Sequence, residues 1–299
     1  MNWVFTFFVL LFSSISFGQT SRIIILGTAQ DAGYPQAGCN KKCCHNNPKP
    51  EPATCFALVQ DSNYVLFEAT PDFKIQLKKL NETIGNKNQK LPEAIFLTHA
   101  HIGHYTGLMH LGREAMGANK QKVYVMPRMQ SFLQKNGPWS QLVKLENIVL
   151  KPLINLKSVE IMAGVKVTPI QVPHRDEFSE TVGYLINSGN KKALFIPDID
   201  KWEKWDMNID SLISTVDYAF LDGTFFSNGE LPGRDMSEIP HPFIKESMQR
   251  FSQLEPDEKA KIYFIHFNHT NPAMWDGEIQ HEILSAGFNV ASNGLVLDL

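Results

Sequence analysis

The sequence predicts an α/β fold with a two-sheet core flanked by helices. Short apolar runs of strand character crowd both halves of the chain, and amphipathic helical patterns follow the strand clusters. A simple alternating parallel sheet would intersperse them one by one. Histidines and aspartates also recur just past the ends of apolar runs, as expected where strand ends converge on one sheet edge. The 299 residues suffice for one large α/β domain or two small ones. The chain is 43% hydrophobic and 20% charged, ordinary globular values. A net charge of −3, with neither a basic excess nor an acidic tail, argues against a nucleic-acid partner.

The N-terminal run "WVFTFFVLLFSSISF" is apolar and uncharged. It falls short of the about 20 residues of a membrane span. Ser16 and Gly18 fit the small-residue cleavage positions of a signal peptide, so residues 1–18 are expected to be removed, leaving Gln19 first. The alternative is an uncleaved anchor. No second stretch is long and apolar enough to span a bilayer. Export, to the periplasm or outside the cell, is therefore expected.

Strand-like runs open the mature chain: "RIIIL", "CFALVQ" and "YVLFE". A helix is expected after "ATPDF", with Thr70 as cap and Pro71 in the first turn, and with Phe73, Leu77 and Leu80 on one face. "NETIGNKNQKLP" reads as a polar loop. "AIFL" is a short buried strand, followed by a histidine cluster and a helix through Leu108, Leu111 and Ala115. In the second half "VYVM", "VKVTPIQV", "VGYLIN", "ALFI", "YAFL" and "IYFI" read as strands. "HPFIKESMQRF" and "GEIQHEILSA" read as helices, the latter stopped by Gly287 and followed by a final strand. The longest irregular stretch, "SNGELPGRDMSEIPHP", has the length of a loop that covers a site.

In "HAHIGH" three histidines, His99, His101 and His104, fall within six residues after an apolar strand. In extended chain His99 and His101 point the same way. His174 follows "VTPIQVP", Asp198 follows "ALFIP", Asp222 follows "YAFL" and His266 follows "KIYFI". Imidazole nitrogens with a carboxylate suit Zn²⁺, Mn²⁺ or Fe²⁺. The alternative for each residue singly is a satisfied core side chain.

"LTHAHIGHYTGL", "VPHRDEFSETVGYLI", "LFIPDID", "FLDGTFF" and "FIHFNHTNP" occur in the order of the metallo-β-lactamase fold superfamily, which this chain resembles from about residue 22 to its end. "LGTAQDAGYPQAGCNKKCC" and "DGTFF…GRDMSEIPH" resemble the branch containing coenzyme PQQ synthesis protein B and the cyclic phosphodiesterases of phosphonate metabolism. The resemblance implies a four-layer αββα sandwich over residues 22–299 with metal at the sheet edge. It implies that His99, His101 and His174 hold a first ion, that His104 and His266 belong to a second, and that Asp198 bridges both. Such an ion lowers the pKa of its water to roughly 7, giving hydroxide for attack on an ester, phosphoester or lactone.

Gly103 departs from the pattern, because the superfamily usually carries an aspartate there. With neutral histidines, Asp198 alone would face two dications, so the second ion should bind more weakly or be absent. Asp31, on the loop after the first strand, is the candidate replacement; the alternative is a turn-forming aspartate. The phosphodiesterase relatives carry a cysteine cluster and a late histidine for a structural zinc. Here the matching residues are Cys39, Cys43, Cys44 and His269, with altered spacing, so one of the adjacent cysteines need not ligate. Disulfides within Cys39–Cys44 or to Cys55 are the alternative in an exported protein, and Cys55 itself is expected to be buried. By the same resemblance His241 can act as general acid or phosphate contact, and Asp222 can orient a metal-bound histidine. His45, His110 and His281 read as structural or solvent-facing.

The leading expectation is an exported metal-dependent hydrolase. It would carry one or two catalytic ions, Zn²⁺ first among them with Mn²⁺ or Fe²⁺ as alternatives, and a further structural Zn²⁺. A small phosphodiester or related ester is the expected substrate class, and a homodimer is left open. The alternatives are an iron-dependent oxidative enzyme like PQQ synthesis protein B and a non-catalytic metal- or ligand-binding protein.

Overall fold

The structure, a computed structural model, describes residues 21–45 and 49–299. The expected signal peptide lies outside the described residues. Among the described residues no helix is long and apolar enough to cross a membrane.

Two seven-stranded sheets form the centre. The first contains β1 (Ser21–Gly27), β2 (Cys55–Gln60), β3 (Asn63–Phe67), β4 (Ala94–Phe96), β5 (Gln121–Val125), β6 (Ile148–Pro152) and the late β14 (Val296–Asp298), in the order β14-β1-β2-β3-β4-β5-β6. The second contains β7 (Val159–Met162), β8 (Val165–Gln171), β9 (Val182–Ser188), β10 (Lys191–Ile196), β11 (Tyr218–Asp222), β12 (Ile262–Ile265) and β13 (Asn289–Val290), in the order β13-β12-β11-β10-β9-β8-β7.

Three buried layers show why the strand runs are apolar on both faces. In β2, Phe56 and Leu58 face the second sheet, whereas Cys55, Ala57 and Val59 pack under the helices. In β10, Ala193 and Phe195 face inward, and Leu194 and Ile196 meet the helices on the far side. The layer between the sheets is rich in aromatic rings. Phe56 stacks on Phe67 at 4.5 Å and meets Phe195 edge-on at 4.7 Å, and Phe96 stacks on Tyr124 at 4.6 Å. Each fully buried ring contributes about 2–3 kcal/mol of hydrophobic stabilisation. The result is an αββα sandwich.

Topology then gathers the strand ends. β3, β4 and β5 pair in parallel, and β1 joins them through two antiparallel steps across β2, so β1, β3 and β4 share a direction. In the second sheet β10, β11 and β12 are parallel, and β8 has the same direction through β9. The carboxyl ends of these seven strands lead to Asp31, Glu68, His99, His174, Asp198, Asp222 and His266.

Three local expectations need correction. The first long helix spans Phe73–Thr83, with Asp72 rather than Thr70 at its N-cap. Thr70 closes the preceding turn: its hydroxyl accepts from the Asp72 amide (3.0 Å) and donates to Gln76 Oε1 (2.7 Å). This helix also runs into the expected polar loop, because Asn81 is buried and donates to the Leu77 and Lys90 carbonyls. The helix expected through Ala115 is instead a single α-turn, Ile102–Tyr105, followed by a 3₁₀ segment, Thr106–Leu111, with Ala115 in a turn. Here the backbone pairs with Ala69: the Ala69 amide donates to the His104 carbonyl and the Gly107 amide to the Ala69 carbonyl, both at 2.9 Å. A Cβ at Gly107 would lie 2.1 Å from the Thr70 carbonyl oxygen, so a side chain there would push this contact apart.

Candidate metal centre

Donor atoms of His99, His101, His174 and Asp198 lie within 4.8 Å of one another, and the same holds for Asp31, His104 and His266. Asp198 stands between the two groups. Its Oδ2 is 3.3 Å from His99 Nε2, 4.0 Å from His101 Nδ1 and 4.0 Å from His104 Nε2, and its Oδ1 is 3.3 Å from His174 Nε2.

The outward nitrogens of these rings are anchored. Thr98 Oγ1 meets His99 Nδ1 at 2.9 Å, and Thr224 Oγ1 meets His266 Nδ1 at 3.1 Å. Asp200 Oδ1 lies 3.2 Å from His174 Nδ1, Glu177 Oε2 lies 3.2 Å from His101 Nε2, and Glu68 Oε1 lies 3.3 Å from His104 Nδ1. The inward atoms differ. His104 Nε2, His174 Nε2, His266 Nε2 and Asp198 Oδ1 are buried without a partner in hydrogen-bond geometry among the described residues, although His174 Nε2 and Asp198 Oδ1 face each other at ion-pair distance, 3.3 Å. Leaving a buried polar atom unpaired costs about 1–3 kcal/mol. Four such atoms converging on one place fit the donor set of a bound cation, with the second nitrogen of each ring fixed as in metal-ligating histidines generally.

Electrostatics follow from this packing in the metal-free chain. Burial and the neighbouring His104 hold His99 well below the usual histidine pKa, and burial does the same to His266. Burial also works against His104, but Glu68 outweighs it and raises that ring. Burial would raise Asp198; the rings of His174 and His241 prevail and hold it well below the carboxylate range. Burial thus favours the neutral form at His99, His101 and His266, whereas, against burial, Asp198 raises His174 as Glu68 raises His104, so a cation bound here would displace protons from those two rings.

His241 reaches this centre from the long loop. Around it Phe225, Met236, Ile239 and Phe243 form a small apolar cluster that fixes the loop. His241 Nδ1 lies 2.8 Å from Asp222 Oδ2 and 3.2 Å from Asp198 Oδ1. Burial would depress its pKa, yet the two carboxylates raise it to about 9. Asp222, fully buried, accepts from the Ile199 and Thr224 amides as well. Asp222 thus holds His241, whereas the histidines around Asp198 are anchored by other groups.

Two of the cysteines belong to a separate donor group. Cys39, Cys44 and His269 bring donor atoms within 4.8 Å of one another. Cys43 is outside that group, with its Sγ 3.9 Å from that of Cys44, while its carbonyl accepts from the Tyr34 hydroxyl. All four cysteines are free, and Cys55 is buried. His110 stacks on Phe73, and His45 and His281 are exposed.

Glu68, Asp200, Thr98, Thr224 and Glu177 were not singled out in the sequence. Glu68 had a usable signal, an acid closing the apolar strand "YVLFE". Asp200 and Glu177 lie two and three residues past Asp198 and His174, with nothing in their types to separate them from surface acids.

A two-sheet sandwich with histidines and aspartates gathered at one sheet edge defines the metallo-β-lactamase class of fold. The chain belongs to the family of the beta-lactamase superfamily domain, whose model matches residues 63–267. It is similar to coenzyme PQQ synthesis protein B of Methylobacterium radiotolerans, 26% identical over 93% of this chain and 100% of the relative. The protein of the same name from Xanthomonas euvesicatoria is 25% identical, again over 93% and 100%. Among solved structures, Zn²⁺-bound PqqB from Methylobacterium extorquens superposes with a TM-score of 0.75 at 21% identity, covering 93% of this chain and 100% of that one. A diphosphatase of the PhnP family gives 0.65 at 22% identity, covering 94% and 97%.

Proposed function

We propose that this protein is a metal-dependent hydrolase acting on a small phosphodiester or related ester. The observation that carries the reading is the set of buried, unpartnered inward atoms on His104, His174, His266 and Asp198, each ring anchored from behind. His99, His101 and His174 would hold the first ion, with Asp198 shared toward His104 and His266. Zinc suits this donor set best, and manganese or ferrous iron would also be accepted. A bound dication supplies Lewis acidity and acidifies a coordinated water.

The chain's own residues do the rest. Asp198, kept ionised by His174 and His241, can accept a hydrogen bond from the attacking water and orient it. His241, which Asp222 and Asp198 raise to about 9 in the metal-free protein, can give a proton to a leaving oxygen or hold a phosphoryl oxygen. Asp222 holds that ring through its Nδ1, the nitrogen that also faces Asp198. The fold neighbour described as a diphosphatase of the PhnP family is consistent with hydrolysis at phosphorus.

We further propose that Cys39, Cys44 and His269 hold a structural zinc, and that the apolar N-terminal run directs the chain out of the cytoplasm. A second reading, a step in the making of coenzyme PQQ, is favoured by the relatives that bear that name. An assay separates the two. The hydrolase reading expects turnover of bis-p-nitrophenyl phosphate, or of another phosphodiester or lactone, that chelator abolishes and added Zn²⁺ restores. Absence of chelator-sensitive turnover across phosphodiesters, lactones and β-lactams would sink it.

A further inference from the structure

Position 103 and the loop after β1 are shaped around each other. A Cβ placed on Gly103 would lie 2.4 Å from Asp31 Cα, 2.8 Å from its carbonyl oxygen and 3.0 Å from its carbonyl carbon. These are backbone atoms, which cannot swing aside as the tip of a side chain can. Any residue larger than glycine at 103 is therefore incompatible with the loop as built. The close approach has a product: the Asp31 carboxylate arrives within 4.8 Å of the donor nitrogens of His104 and His266.

The loop is held there firmly. The Gln30 amide donates to the Phe267 carbonyl and the Phe267 amide to the Thr28 carbonyl, both at 2.8 Å. Asn268 Nδ2 donates to Gln30 Oε1 at 2.6 Å. Asp31 is thus tied to the residues that flank His266. Both Asp31 (φ 44°) and His266 (φ 70°) take left-handed backbone that non-glycine residues seldom adopt. Strain of this kind persists where surrounding structure enforces it, and it clusters at functional sites. His104 Nε2 and His266 Nε2, both buried, have no hydrogen-bond partner among the described residues.

Charge gives the arrangement a purpose. Two dications bring four positive charges, and Asp198 alone returns one. A second carboxylate on the His104–His266 side lowers the repulsion between the ions and supplies a hard oxygen donor. We propose that Asp31 supplies the carboxylate that Gly103 withholds, completing a second dication site with His104, His266 and the shared Asp198. The proposal rests on the metal-centre reading above and adds to it the source of the missing ligand. Aspartate at 103 and the Asp31 loop are then mutually exclusive solutions to one requirement.

The test is equilibrium dialysis of the metal-stripped full chain against graded free Zn²⁺, with zinc per chain read by elemental analysis. Wild type, Asp31→Asn, His104→Ala and His99→Ala are compared, and far-UV circular dichroism checks that each is folded. Asp31→Asn nearly preserves shape. It is expected to weaken the same equivalent that His104→Ala removes, by roughly 10-fold or more, while the equivalent that His99→Ala removes stays. Asp31→Asn binding zinc as wild type does, while His104→Ala loses an ion, overturns the proposal. If neither His99→Ala nor His104→Ala changes the zinc content, the metal-centre reading falls and this proposal with it. Gly103→Asp is expected to lower Tm. A Gly103→Asp protein as stable as wild type contradicts the close approach on which the proposal stands.

Discussion

Glu68 Oε1 lies 3.3 Å from His104 Nδ1, and the carboxylate is fully buried. Its other oxygen accepts from the Thr98 amide at 3.3 Å. One buried acid thereby ties the strand end that carries His99 to the turn that carries His104. Its backbone, at φ 84°, is left-handed. Glu68→Gln keeps the volume and removes the charge that raises His104. Zinc affinity at the His104 side is expected to fall by roughly 10–100-fold, with little loss of secondary structure. Competition with a fluorescent chelator reads this directly; unchanged affinity would show that Glu68 is only a packing group.

His241 gives the pH dependence its sign. In the metal-free protein its pKa is raised from 6.5 to about 9, since Asp222 and Asp198 outweigh its burial. A raised folded value means that protonation stabilises the fold fully below about pH 6.5 and that the contribution is lost as pH rises through about 9. The difference is worth on the order of 3 kcal/mol. Asp222→Asn should bring the titration back toward 6.5 and move the alkaline loss of stability to lower pH. Imidazole NMR of metal-free wild type and variant measures both. A wild-type His241 that titrates at or below 6.5 would contradict the two-carboxylate contact.

Much of this was legible in the sequence because both strands and site obey placement rules. Apolar runs such as "CFALVQ" are buried on both faces, which marks strands inside a sandwich. His99, His174, Asp198, Asp222 and His266 sit one to three residues beyond such runs, and the rest of the histidine cluster follows His99 directly. Three things were hidden. The turn from Ile102 to Leu111 looks helical by periodicity, but backbone pairing with Ala69 breaks it into shorter pieces. Strands β6 and β7 are only partly buried, and their apolar residues are followed at once by Lys151 in β6 and interrupted by Glu160 in β7. The acids that anchor histidines from behind, Glu68, Asp200 and Glu177, become distinct only through contacts between segments far apart in the chain.

Gly107→Ala tests the first of those three. The added methyl would meet the Thr70 carbonyl at 2.1 Å and Phe73 Cβ at 2.7 Å. Overpacking of this kind costs about 1–3 kcal/mol, so Tm should fall by several degrees in calorimetry. Because the His104 carbonyl is bonded to the Ala69 amide in the same contact, zinc affinity should fall with it. An unchanged Tm would mean that the turn adjusts freely.

The cysteine cluster is tested by His269→Ala. With Cys39 and Cys44 it forms a three-donor candidate site for zinc, separate from the histidine groups around Asp198. The variant should lose one zinc equivalent and resist proteolysis less near residues 39–45. Chelator-sensitive turnover should persist in reloaded protein. Cys43→Ser should keep that zinc, because Cys43 stands outside the cluster. Loss of zinc in Cys43→Ser and not in Cys44→Ser would reverse the assignment.

If His99, His101, His174 and Asp198 form a metal centre, removing two of these ligands must lower the metal content of the folded chain. Elemental analysis of wild type and of His99→Ala/His174→Ala, purified identically without chelator and checked for folding, gives metal per chain. Zinc, manganese or iron is expected in wild type, and the double variant is expected to hold at least one equivalent less. Folded wild type without stoichiometric metal even after incubation with excess Zn²⁺, or a double variant with the same content, would contradict the metal centre.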